Sequence, residues 1–216
     1  MAPKIFLVDD DDPVRDALSR LLANLDLTVV ACADGDALLA ACTPEQPGCV
    51  VLDLDLPGMN GLQTQAALRA RGIELPVIFL TGKGSVASTA SALKAGAFDF
   101  LEKPVEGRLL LARVQDGLRE DALRREQAAR RREAQLRLAQ LTAREREVIA
   151  LALDGLANKE VANRLGISHR TVEIHRARVM HKMGVSNLLE LDHMLHTGEP
   201  DRVAIDTAMA AARQTP

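Results

Sequence analysis

Five short apolar runs, separated by helix-like stretches, constrain this chain more than any other feature of its sequence. They are Ile5-Phe6-Leu7-Val8, Leu27-Thr28-Val29-Val30, Cys49-Val50-Val51-Leu52, Pro76-Val77-Ile78-Phe79-Leu80 and Ala97-Phe98-Asp99-Phe100-Leu101. Runs this short, rich in β-branched and aromatic residues, fit strands buried on both faces of a parallel sheet. The stretches between them carry helix punctuation. Asp12-Pro13 reads as an N-cap followed by proline at the first helical position. Asp34 can cap the second helix, and Gly72 and Gly96 suit the left-handed position after the third and fourth. Five strand–helix units predict an α/β doubly wound, five-stranded parallel-sheet domain over residues 1–120. Ligands of such a sheet gather at the carboxyl ends of its strands.

The strand pattern stops near Val105. Residues 106–140 read as one helix dense in Arg, Glu, Gln, Ala and Leu, with an apolar stripe that thins after Leu118. Residues 121–137 are therefore expected to form a solvated, semi-rigid linker helix, with Arg130-Arg131-Arg132 as an exposed charged face. Residues 138–196 read as an all-α domain. Thr142-Ala143-Arg144-Glu145 is a capping box. Gly155, Gly166 and Gly184 end successive helices, and Asn158, Ser168 and Ser186 start the next ones. The tail, 197–216, is Ala-rich and carries no motif.

Composition narrows the function classes. With 47 % hydrophobic and 26 % charged residues, the chain can fill a core, which excludes global disorder. Mean hydropathy is −0.01, and no apolar run approaches the roughly 18 residues of a membrane span. Residue 1 leads into a strand with no secretory segment, so the expected location is cytoplasmic. Cys32, Cys42 and Cys49 lack metal-site spacing and read as small core residues. Without Trp or Tyr, and with four Phe, the chain lacks the stacking platform of single-strand nucleic-acid binders. Charge is uneven: residues 1–106 carry a net −7, residues 107–140 a net +4, and residues 141–196 a net +1. An acidic front half and a basic continuation point to two modules with different partners.

The expected sheet brings one cluster together. Asp9 to Asp12 follow the first strand, Asp53 ends the third, Thr81 ends the fourth, and Lys103 follows the fifth. Clustered carboxylates suit a hard divalent cation, with Mg²⁺ expected. Such a cation neutralises an incoming phosphoryl group, so that an aspartate can attack phosphorus. Lys103 and Thr81 can then hold phosphoryl oxygens.

Residues 3 to about 120 resemble the receiver domain of bacterial two-component response regulators. The resemblance is carried by Val8-Asp9-Asp10-Asp11, by Leu52-Asp53-Leu54-Asp55-Leu56-Pro57-Gly58-Met59-Asn60-Gly61, by Pro76 to Gly82, and by Lys94 to Pro104. It implies that Asp53 is the phosphoacceptor, that Asp9 and Asp10 bind metal with the backbone carbonyl of Asp55, and that Thr81 and Lys103 sense the phosphoryl group. Phe100 falls at the switch-aromatic position, and Lys103-Pro104 at a bond often cis in this family. Asp55, Leu56, Lys83 and Ser85 depart from common family residues. A rival reading takes Asp53-Leu54-Asp55 as the nucleophile motif of a Mg-dependent phosphatase of the haloacid-dehalogenase type. Against it, the extra carboxylates precede this motif, and no acidic pair follows Lys103-Pro104.

In the helical domain, a short helix, a Gly turn and a longer helix from Ser168 form a helix-turn-helix pattern. At about 100° per residue, Val172, Val179 and Met183 share one side of the third helix. Arg170, Glu173, Ile174, Ala177 and His181 lie roughly opposite, flanked by Arg176, Arg178 and Lys182. A face of Arg, Glu and small residues suits a DNA major groove: Arg170 could read guanine, and Glu173 could accept from cytosine. Residues 138–195, including Leu141 to Val148, Asn158 to Ala162, Leu165 to Ser168, Thr171 to Arg176 and Met183-Gly184, resemble the LuxR-type DNA-binding domain. DNA contacts are expected from Lys159, Ser168, Arg170, Thr171, Glu173, Ile174, Arg178, His181 and Lys182. Glu145 is expected in a cap or internal ion pair, and Val172 and His175 in packing.

The order of receiver, linker helix and LuxR-type domain resembles a FixJ/NarL-type response regulator. The resemblance implies phosphoryl transfer from a sensor histidine kinase, homodimerisation when phosphorylated, and binding to double-stranded promoter DNA. RNA polymerase is a further candidate partner, and no membrane role is expected. Lys94, Asp99 and Arg113 are candidate polar partners at the dimer face. Release of a masked DNA-binding domain is the competing route to activation.

Overall fold

The computed structural model of the protein describes residues 1–82 and 96–196. The chain divides into two compact units, and the division falls between Arg124 and Arg125, inside one long helix. The first unit contains β1 (Lys4–Val8), β2 (Thr28–Cys32), β3 (Gly48–Asp53), β4 (Val77–Thr81) and β5 (Asp99–Glu102). All pair in parallel, in the order β2-β1-β3-β4-β5. The direction of winding reverses between β1 and β3, which opens a crevice at their carboxyl ends. Register levels those ends: Val8 faces Leu52, and Asp53 faces Leu80. The residues that follow β1 and end β3 are therefore neighbours.

Helices α1 (Asp12–Leu22), α2 (Gly35–Ala41), α3 (Gly61–Ala70) and the first half of α4 (Gly107–Ala139) complete this unit. Side chains alternate across the sheet with period two. Phe6, Val8, Val50, Leu52, Val77 and Phe79 join Leu38, Leu39 and Leu68 of α2 and α3 in one core. Ile5, Leu7, Cys49, Val51, Ile78 and Leu80 join Leu22 of α1 and Leu110 and Val114 of α4 in the other. The three cysteines are free and buried. Burial pushes the thiols of Cys42 and Cys49 up to about 12, so they serve as apolar filler. The expected fourth helix, Lys83, Ser85, Lys94 and the tail at 197–216 lie outside the described residues.

The second unit holds the rest of α4, then α5 (Ala143–Leu153), α6 (Asn158–Leu165), α7 (His169–Met183) and α8 (Leu188–His196). Val172 packs with Val148, Val161 and Ala162, while Val179 and Met183 pack with Leu141, Ile149 and Leu191. The expected inward stripe of α7 is thus its buried face. Three caps shift by one residue from the sequence reading. Asp11, not Asp12, caps α1, accepting from the Val14 amide. Ala157 precedes α6, where Glu160 accepts from the Ala157 amide at 2.8 Å, and Asn158 is already helical. Asn187, not Ser186, accepts from the Glu190 amide at the start of α8. In each case a polar residue stands beside the true cap, and only backbone direction decides between them.

Candidate functional site

The crevice between β1 and β3 is lined from both strand ends. Asp9 is fully buried, and Asp53 and Thr81 are nearly so. Backbone turns hold the two carboxylates: the Asp11 amide donates to Asp9 Oδ1 at 3.0 Å, and the Asp55 amide to Asp53 Oδ1 at 3.1 Å. Their other oxygens meet one cation. Lys103 Nζ lies 2.7 Å from Asp9 Oδ2 and 2.6 Å from Asp53 Oδ2. Burial alone would lower the Lys103 pKa. Hydrogen bonds to Asp53 and Asp9, with their charges, outweigh it and raise the pKa above its ordinary value. The ammonium therefore stays charged and fixes both aspartates. The Lys103-Pro104 bond is cis, as expected from the family resemblance.

Asp9, Asp10 and Asp53 each offer a carboxylate oxygen, and these lie within 4.8 Å of one another. Asp10 is exposed. An all-oxygen donor set with one arm in solvent fits a hard cation that keeps part of its hydration shell. Thr81 Oγ1 donates to Gly82 O at 3.2 Å at the end of β4. Phe100 stacks on Phe79 with ring centroids 5.6 Å apart, so the residue expected as the switch aromatic packs on β4. Arg15 escapes the sequence reading, and Gly61, part of the stretch that carries the receiver resemblance, has no role assigned there. Arg15 Nη1 donates to Asp9 O at 2.7 Å; its only sequence signal is the i,i+3 spacing from Asp12. Gly61 has no room for a side chain, because a Cβ would lie 2.6 Å from Asp53 O. That close approach lets α3 start directly against the end of β3, where the Asn60–Gln63 capping box fixes it.

At the expected dimer face, Asp99 and Arg113 pair with each other: Arg113 Nε lies 2.8 Å from Asp99 Oδ2.

The second unit presents the outer face of α7. Ser168 caps it, accepting from the Thr171 amide at 3.0 Å, and shares a hydroxyl contact of 2.7 Å with Thr171. Arg170 is 80 % exposed, and its Nη1 lies 3.1 Å from Glu173 Oε2. His169 Nδ1 approaches Glu173 Oε1 at 3.6 Å. Ile174, Ala177, Arg178, His181 and, on α6, Lys159 are exposed. Asn158, Arg170, Glu173, Ile174, Arg176 and Ala177 line a shallow open depression. Arg176 donates to Asn158 Oδ1, a link between α7 and α6 that the sequence reading did not contain.

Lys182, expected as a DNA contact, has intramolecular partners. Its Nζ lies 2.6 Å from Glu145 Oε2 and donates to Gln140 O at 3.2 Å. Glu145 is buried and accepts from the Thr142 amide at 2.8 Å, so it joins both the cap and an ion pair, as expected. The hydrogen bond from Lys182 outweighs burial and lowers the Glu145 carboxyl to about 2.

The model of the response regulator receiver domain matches residues 5–115, and that of the luxR family of bacterial regulatory proteins matches residues 139–195. The transcriptional regulatory protein FixJ of Azorhizobium caulinodans is 43 % identical over 190 residues, 88 % of this chain and 90 % of that protein. The C4-dicarboxylate transport transcriptional regulatory protein DctR of Rhodobacter capsulatus is 42 % identical over 90 % of this chain and 100 % of its own length. Among solved structures, response regulator StyR matches 91 % of this chain and 99 % of its own, with a TM-score of 0.81 and 38 % identity. The phosphatase alternative finds no support in these matches. Both halves of the chain and their order thus place it among the two-component response regulators, as a transcriptional regulator that joins a receiver domain to a LuxR-family DNA-binding domain.

Proposed function

We propose that Asp53 is the phosphoacceptor and that its phosphorylation controls DNA binding by the second unit. The observation that carries this reading is the single ammonium of Lys103 held at 2.6 Å from Asp53 and 2.7 Å from Asp9. It leaves Asp53 oriented, nearly buried and beside the cation that a transferred phosphoryl group requires. The donor is a phosphohistidine on a sensor kinase. Asp53 attacks phosphorus, the P–N bond breaks, and the electron pair stays on the imidazole, which takes up a proton. Asp9, Asp10, the Asp53 carboxylate and the backbone carbonyl of Asp55 are the groups that would hold Mg²⁺, which neutralises phosphoryl charge when bound. Lys103 and Thr81 receive phosphoryl oxygens. Phe100 responds through its stack on Phe79.

The output is binding to double-stranded promoter DNA, with Arg170, Glu173 and Ile174 at base edges and Lys159, Ser168, Thr171, Arg178 and His181 around them. Lys94, Asp99 and Arg113 mark the face for homodimerisation, which would set two recognition helices at half-sites about one DNA turn apart. RNA polymerase is a downstream partner. Among the described residues no helix is long and apolar enough to cross a membrane, in keeping with a cytoplasmic regulator.

Intact-mass measurement after incubation with a small phosphodonor and Mg²⁺ tests the acceptor. Wild type is expected to gain one phosphoryl group, and Asp53→Asn none. Equal labelling of both proteins would overturn the assignment. Arg170→Ala is expected to weaken binding to a selected duplex by about 1–3 kcal/mol; an unchanged affinity would remove Arg170 from the groove.

A further inference from the structure

Helices α4 and α7 end by exchanging cations. Arg137, in the last turn of α4, sends Nη1 to Met183 O, the final carbonyl of α7, at 2.6 Å. Lys182, in the last turn of α7, sends Nζ to Gln140 O, just past the end of α4, at 3.2 Å. The late carbonyls of a helix lack internal partners, and cations are favoured there by the helix dipole. At α7 the local turn serves only some of them: Gly184 donates to His181 O, and Val185 to Met180 O. Arg137 supplies the donor that Met183 O would otherwise lack within the turn.

The guanidinium is aimed and housed. Glu133 Oε1 holds Arg137 Nη2 at 2.6 Å, one turn back along α4. Gly184 is left-handed at φ 68°, and a Cβ there would lie 2.7 Å from Arg137 Nη1. Glycine at 184 thus serves both the turn and the approach of the guanidinium. On the other side, Lys182 also binds the buried Glu145 at 2.6 Å, and Arg146 Nη2 reaches Leu138 O and Ala139 O at 3.4 Å. The side chains of Arg137 and Lys182 are only 32 % and 31 % exposed, so solvent screens these contacts less than it screens a surface ion pair.

We propose that Arg137 and Lys182 are positioning residues for DNA reading: they fix the carboxyl end of the recognition helix to the last turn of α4. The inference rests on the DNA-binding reading of α7. It extends the structural base of that helix to Arg137, upstream of the matched segment at residues 139–195. Arg170 and Met183 are separated by about 20 Å of helix rise. Arg137 therefore acts through the placement of α7, not by touching the bases that Arg170 reaches.

The test uses the full chain, phosphodonor-treated, and a duplex that wild type selects from a random library. A scrambled duplex serves as control, and hydrogen exchange is followed at the amides of Gly184 and Val185. Arg137→Met is expected to bind the selected duplex about tenfold more weakly, the scale of one lost hydrogen bond to a charged group. It should bind the scrambled duplex within about twofold of wild type, with the salt slope unchanged. Exchange at Gly184 and Val185 should rise at least about tenfold while amides of the receiver sheet keep their rates. Arg137→Lys should recover part of the loss. Equal weakening on both duplexes with a slope reduced by about one would make Arg137 a phosphate contact and overturn the proposal. Unchanged affinity and exchange would equally overturn it. If Arg137→Met fails to fold by circular dichroism, Glu133→Gln replaces it, with about threefold weaker selective binding expected and no change overturning the proposal. If wild type selects no duplex, the DNA-binding reading fails, and the exchange rates still decide whether Arg137 holds α7.

Discussion

Lys103 shows how one side chain sets the state of a site. It sits between two carboxylates that would otherwise repel, at 2.7 Å from Asp9 and 2.6 Å from Asp53. A divalent cation bound at Asp9 and Asp53 would compete with Lys103 for the same oxygens. Lys103→Met is therefore expected to lower stability in metal-free buffer by at least about 1 kcal/mol. Added Mg²⁺ should raise its melting temperature more than that of wild type. Equal Mg²⁺ responses would show that Lys103 and metal do not share the carboxylates. Glu145 offers a pH test in the other unit. Its carboxyl is lowered to about 2 by Lys182, against an unfolded value near 4.3. Its contribution is thus fully present above the unfolded pKa and is lost as pH falls through the folded one. Between about pH 4.3 and 2, Glu145→Gln should flatten the pH dependence of denaturation followed by circular dichroism. An unchanged profile would mean that the pair contributes nothing. Asp53 and Lys103 were legible in the sequence because strand ends converge in a doubly wound sheet. Arg15 was not, nor was the role of Gly61, because both depend on backbone approaches that only the folded pocket creates.

At the scale of elements, helix α4 belongs to two environments. Its first half is core: Leu110 and Val114 are fully buried, and Asp121 Oδ2 accepts from the Gly48 amide at 2.9 Å, across 73 residues of sequence. Its second half is solvated apart from Ala134 and partly shielded neighbours. Asp121→Ala leaves the Gly48 amide without this acceptor at the start of β3 and should cost about 1–3 kcal/mol, read as a lower urea midpoint. A shift below about 0.5 kcal/mol would contradict that role. Ser168→Ala removes the cap of α7 and should cost about 1 kcal/mol. The five strands and the inward stripe of α7 were legible because period-two and period-3.6 patterns are local. The thinning of the apolar stripe after Leu118 foretold the solvated half of α4. The Asp121–Gly48 and Arg137–Met183 contacts were not legible, since charged residues on a polar helix face give no sign of a distant backbone partner. Lys182 is a similar case: its spacing puts it on a flank of α7 and gives no sign of Glu145 and Gln140 as its partners.

For the whole molecule, the uneven charge has a direct reading. A net −7 over residues 1–106 accompanies the carboxylate cluster at Asp9, Asp10 and Asp53, and the excess of positive charge lies further along the chain, most of it in residues 107–140. Regulation requires phosphorylation to distinguish two states. Moving a population from 1:99 to 99:1 takes about 5.5 kcal/mol of preference for the active state. A small rearrangement around Asp53, Thr81 and Phe100 alone has little surface from which to draw that preference, whereas assembly of two receivers has more. The measurement that tests the central claim is light scattering behind size-exclusion chromatography, with and without a small phosphodonor and Mg²⁺, on wild type and Asp53→Asn. Wild type should shift from one chain to two on treatment, and Asp53→Asn should stay at one. Phosphoryl incorporation confirmed by mass with no shift in wild type would contradict phosphorylation-driven assembly, and a shift shared by Asp53→Asn would contradict Asp53 as its trigger.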